Sequence, residues 1–70
     1  MTEEENELAE AERRTEQARQ ILEREKQRIA DIDAAGGDSR GAREMLKVCE
    51  TNLRILEGHR DYLKHRRKAD

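Results

Sequence analysis

The chain holds few side chains that could make or break bonds, and their spacing keeps them apart. Its two histidines, His59 and His65, are six positions apart. On a helix that is about 240° of rotation, so they do not share a face as metal ligands at i and i+4 do. No Glu stands three residues before either one, which removes the Glu-x-x-His pair of a bundle di-metal centre. Cys49 is the single cysteine, so neither an intrachain disulfide nor a cysteine-based zinc framework can form. Its neighbours in Lys47-Val48-Cys49-Glu50 carry opposite charges and give the thiolate no clear support. On an apolar helix face Cys49 reads as a small hydrophobe. Glu25, expected near Cys49 in an antiparallel pair of helices, has no base or metal partner there. It reads as a carboxylate at the edge of the seam, paired with Arg28 or with a base across the interface. His59 reads as part of a polar layer with Thr15 and Arg60 that fixes register.

The loop Gly36-Gly37-Asp38-Ser39-Arg40-Gly41 precedes a helix but lacks the strand, the glycine spacing and the Lys-Ser/Thr ending of a phosphate cradle. It reads as a turn. Ser39 lies in that loop while both histidines lie toward the far end of the chain, so no Ser-His-Asp arrangement forms. No catalytic, cofactor-binding or metal-binding residue is assigned, and the chain reads as non-enzymatic.

The remaining chemistry is electrostatic. Arg60, Lys64, Arg66, Arg67 and Lys68 form a basic segment able to hold phosphates, with Tyr62 available to stack on a base. The whole chain, however, has 15 basic and 17 acidic residues and a formal charge of −2, which opposes wholesale coating of a nucleic acid. The sign is also divided. Residues 1–35 carry 11 acids and 6 bases, and residues 36–70 carry 6 acids and 9 bases. Folding the halves antiparallel sets Glu3, Glu4, Glu5 and Glu7 beside the basic end, and each cluster suits the dipole of its own helix terminus. Exposed pairs such as Glu10/Arg14, Glu50/Arg54 and Asp61/His65 are worth only tenths of a kcal/mol each.

The elements that must position these residues are helical. The chain is 46% charged and 33% hydrophobic, with one tyrosine, no Phe or Trp and no proline, which leaves little material for a β-sandwich or barrel. Strong helix formers run to Ala35, break at the glycine cluster, and resume. The expected organisation is a single all-α antiparallel helical hairpin over 1–70: helix 3–35, turn 36–39, helix 40–67. Gly36 supplies the left-handed cap, and Asp38 or Ser39 accepts from the first amides of the second helix. Leu8, Ala11, Thr15, Ala18, Leu22, Glu25, Ile29 and Ile32 follow a 3-4 spacing on the first arm, widened by Ile21. Ala42, Leu46, Cys49, Leu53, Leu56, Arg60 and Leu63 answer them on the second. The expected neighbours are Ile32 with Ala42, Ile29 with Leu46, Leu22 with Leu53, Ala18 with Leu56, and Ala11 with Leu63.

Met45, Val48, Ile55 and Tyr62 widen the second arm's apolar arc beyond what one neighbour covers. Burial at about 25 cal/mol per Å² in so small a chain only offsets its ordering entropy, so a partner is expected. The simplest is a homodimer of hairpins forming a four-helix bundle, with those four residues at its interface. A chain that stands alone with Val48, Ile55 and Tyr62 wetted, or whose arms merge into one straight helix, contradicts this expectation.

The run Glu12-Arg13-Arg14, Gln20-Ile21-Leu22, Ile29-Ala30-Asp31-Ile32, Gly36-Gly37-Asp38-Ser39, Ala42-Arg43-Glu44-Met45-Leu46, Glu50-Thr51-Asn52-Leu53 and His59-Arg60-Asp61-Tyr62-Leu63 resembles a group of short bacterial helical-hairpin proteins of uncharacterised function. The likeness spans Ala11 to Leu63. The group's loop often reads Gly-His-Asp-Thr, so Gly37 and Ser39 depart from it. The resemblance implies a hairpin and no substrate, cofactor or catalytic residue. His-Arg-Asp also occurs in kinase catalytic loops, but the rest of that machinery is missing and the chain is too short for the fold.

The reading is a non-enzymatic protein-protein interaction module, homodimeric and cytoplasmic, that presents charged outer faces to another protein. A variant wraps an amphipathic partner helix in place of its own second copy. The alternative is a small RNA-binding bundle using the basic segment. The acidic start is unlike a signal peptide, and no run approaches the roughly 18 apolar residues of a membrane span.

Overall fold

The computed structural model describes residues 2–69, the side chains of 67–69 excepted. Two helices, α1 (Glu3–Ala34) and α2 (Arg40–Ala69), pack against each other as a hairpin. The first ends one residue before the expected limit and the second runs two residues beyond it. No strand occurs among the described residues. The hairpin measures 54 × 18 × 13 Å, with a radius of gyration of 16.1 Å, against about 11 Å for a globule of this length.

Each end of α1 is closed by its own chemistry. Thr2 is extended (φ −74°, ψ 164°), and its hydroxyl accepts from the Glu5 amide at 3.1 Å. The same hydroxyl donates to the Glu5 carboxylate at 3.1 Å, a variant of the capping box with Glu at the third helical position. At the other end the Gly37 amide donates to Ile32 O (2.9 Å) and the Gly36 amide to Asp33 O (3.1 Å). This is the Schellman pattern, which needs a left-handed residue after the cap. Gly36 supplies it at φ +75°.

The last turn of α1 carries acids and no base, the reverse of what the helix dipole favours. The compensation comes from α2. Arg43 Nη2 lies 2.7 Å from Asp33 Oδ2, Ser39 Oγ donates to Asp33 Oδ1 at 2.7 Å, and Arg43 Nε donates to Ser39 Oγ at 3.0 Å. The closed triangle ties both helix ends, and Ser39 is buried within it. Of the two expected caps for α2, Asp38 is the one whose carboxylate accepts the Arg40 amide (3.0 Å), whereas the Ser39 hydroxyl is diverted to Asp33. The Arg40 guanidinium, and then that amide bond, hold the Asp38 carboxyl below its usual range.

The seam is narrow. Leu8, Ala11, Thr15, Ala18, Leu22 and Ile29 are buried on α1. Ala42 and Leu63 are buried on α2, with Leu46, Cys49, Leu53, Leu56 and Arg60 half-buried between them. Leu8, Ala11 and Leu63 form one packed cluster at the open end of the hairpin. Thr15 is the most enclosed side chain, 1% exposed. Its hydroxyl is satisfied by donation to Ala11 O one turn back (2.7 Å), with Leu56 O across the seam at 3.4 Å. A polar residue is therefore tolerated at the most enclosed of the described positions.

Candidate interaction surface

The four residues expected at an interface stand outside the seam. Within the single chain Met45 is 49% exposed, Val48 60%, Ile55 65% and Tyr62 60%, the wetted condition that contradicts a dimer if the chain stays single in solution. A shallow hollow of about 400 Å³ lies along this row, lined by Val48 and Ile55 with Lys47, Thr51 and Asn52. Ile21 of α1, 50% exposed, completes the large exposed apolar residues among the described residues.

These residues share one broad face of the hairpin. His59, in step with the row of Met45, Val48, Ile55 and Tyr62, lines a groove with Glu7, Glu10, Ala11, Arg14 and Leu56. Ile21 follows Arg14 by seven positions, two full turns along α1, and so falls on that same side. The opposite face of the seam has a hollow lined by Glu12, Thr15, Glu16, Arg19, Arg60 and Lys64, almost wholly polar. The hairpin as a whole is thus amphipathic across its thickness, with residues of both helices on each side. The extended shape also leaves 5351 Å² accessible, against about 4500 Å² for a compact protein of this mass.

Expectations about individual residues change at His59 and Asp61 and stand at Glu25 and Glu10. His59 does not form a layer with Thr15 and Arg60: Arg60 reaches the Thr15 side, whereas His59, about 100° away on the helix, falls on the other side of the seam beside Ala11. Glu25 is edge-lying, with only 13% of its side chain exposed, and lies 3.3 Å from Arg28. Among the surface pairs, Glu10 meets Arg14 at 3.0 Å and also meets Arg13, which together keep its carboxyl below its ordinary value, the Arg13 hydrogen bond most of all. Asp61 pairs with Arg60 at 3.1 Å instead of with His65.

The basic segment is divided by its contacts. Arg66 Nη2 lies 2.9 Å from Glu7 of the acidic start, a contact that raises the Arg66 pKa further, and its guanidinium carbon lies 6.0 Å from the centre of the Tyr62 ring. Arg60 is engaged by Asp61, and Lys64 is exposed. Arg67 and Lys68 lie outside the described side chains. Among the described residues no three His, Cys, Asp or Glu side chains gather as a metal site would require, and no helix is long and apolar enough to cross a membrane.

No match was found. Family models, curated proteins and solved structures were compared with the chain, and none is significantly similar to it.

Proposed function

We propose that the chain is a non-enzymatic interaction module whose first partner is a second copy of itself, the two hairpins closing over the face that carries Met45, Val48, Ile55 and Tyr62. The observation that carries this reading is the exposure of the large apolar side chains on the side that helical spacing and the two hollows assign them, because a monomer gains nothing by gathering them. The surface balance supports it. A standard interface buries about 800 Å² per partner, close to the excess of this rod over a compact protein of equal mass. The charged opposite face is left for other proteins, and the chain works in the cytoplasm.

Sedimentation of the wild type beside Ile55→Glu tests the reading. The expected result is a wild-type dimer that the charge splits, with loss of helicity. A fully helical wild-type monomer, with this row wetted, contradicts it. The RNA-binding alternative has less behind it, because Arg66 and Arg60 are already paired with Glu7 and Asp61.

A further inference from the structure

Met45, Val48, Asn52, Ile55, His59 and Tyr62 are spaced 3, 4, 3, 4, 3 along α2, the repeat of a coiled-coil seam, and all six are exposed. Each stands one position before a residue of the row that faces α1: Leu46, Cys49, Leu53, Leu56, Arg60 and Leu63. The second row is therefore turned by about 100° from the first, close to the angle between neighbouring contacts in a square four-helix bundle. Asn52 and His59 explain why the row is hard to see as apolar. They are polar members of an otherwise hydrophobic repeat, the kind of position that sets register and orientation at some cost in stability.

Resting on the dimer reading above, we infer that this row pairs with the same row of a second copy in antiparallel orientation, with Ile55 on the two-fold axis. Ile55 then meets the partner's Ile55, Val48 meets the partner's Tyr62, and Asn52 meets the partner's His59. A small side chain opposes a large one in each outer layer, and an amide opposes an imidazole, which can exchange donor and acceptor roles with it. A parallel pair would stack Tyr62 on Tyr62, His59 on His59, and the two basic ends of α2 on each other. The antiparallel pair instead keeps the two basic ends apart, sets Glu44 beside the partner's His65 where Arg40 and Arg43 are already engaged by Asp38 and Asp33, and aligns the helix dipoles favourably.

Gly58 gives an independent reason. It lies within α2, where glycine costs about 1 kcal/mol relative to alanine, yet a Cβ there would meet nothing within 4 Å in its own chain. Packing inside the hairpin does not require it. In the antiparallel register Gly58 falls opposite the partner's Thr51, so small residues flank Ile55 on the side where the two backbones come closest.

The register is tested by cross-linking in a Cys49→Ala background. Glu44→Cys and His65→Cys chains are treated with a short bismaleimide separately and after mixing, with sedimentation of the same samples. Along α2 these positions are about 30 Å apart, so the reagent separates the two orientations. Cross-linked dimer in the mixture and not in either chain alone is the expected result. Cross-linking of each chain with itself overturns the orientation while the dimer stands, and a dimer that cross-links in neither arrangement overturns the register. Monomers in sedimentation overturn this inference together with the reading beneath it.

Discussion

Replacing Ile55 by alanine separates a dimer from a monomer by the sign of its effect. Full burial of an isoleucine side chain stabilises by about 1.5–3 kcal/mol, and Ile55 has 65% of its surface still exposed in the single chain. A covering partner can therefore gain about 1–2 kcal/mol from each copy, or about 2–4 kcal/mol per symmetric dimer. Ile55→Ala should then weaken association roughly 30- to 700-fold, at 1.4 kcal/mol per decade. In an isolated hairpin the same substitution removes little buried contact and introduces a better helix former, so the chain would be unchanged or slightly more stable. Urea unfolding followed by circular dichroism at several chain concentrations measures the difference. A dimer gives a wild-type midpoint that rises with concentration and an Ile55→Ala midpoint well below it. Concentration-independent curves, with the variant equal to or above the wild type, show a lone hairpin in which nothing covers Ile55.

Four further outcomes follow from the contacts. Leu63→Ala, at a 4% exposed residue packed on Leu8 and Ala11, should cost about 2–5 kcal/mol and unfold the hairpin itself; thermal melts beside Ile55→Ala distinguish loss of the seam from loss of the partner. Ser39→Ala removes the hydroxyl between Asp33 and Arg43 and should cost about 1.5 kcal/mol, a drop in Tm of roughly 6–12 °C for a chain this size; an unchanged Tm would show that the triangle does not hold the turn. Because Asp38 is depressed by Arg40, its contribution is present above the unfolded carboxyl pKa and is lost as pH falls through the lower folded one. An NMR titration should place its midpoint below the ordinary aspartate range and see it move up in Arg40→Gln. For the RNA alternative, gel shifts at low salt should show no binding; binding that is salt-dependent and disappears when Arg60, Lys64, Arg66, Arg67 and Lys68 are neutralised together would favour that alternative.

The hairpin was legible because two signals coincide: the 3-4 spacing from Leu8 to Ile32 and from Ala42 to Leu63, and a glycine cluster between them with Gly36 in the conformation that only such a residue adopts easily. The start of α1 at Glu3 is legible in the run of strong helix formers, but its cap is a feature the structure adds, Thr2 and Glu5 standing at the Thr-x-x-Glu spacing of a capping box. The lock at the turn was not. Asp33 and Arg43 are ten residues apart on different helices, and nothing local marks them as partners until the antiparallel fold brings α1's acidic end to α2's first turn. The side on which His59 lies is not legible in the spacing, because a single residue step rotates the side chain by about 100°, enough to carry it from one side of a narrow seam to the other. Ile21 was visible as a widening of the first arm's stripe. Its place beside the α2 row depended on knowing which sides of the two helices the hairpin turns the same way, and the groove shared by Glu10, Arg14 and His59 supplies that.

Light scattering on the wild-type chain across a dilution series measures the central quantity, its mass in solution. A dimer gives twice the 8.2 kDa chain mass, with helicity lost as dilution separates the copies. A mass of 8.2 kDa at every concentration, with helicity intact, contradicts it.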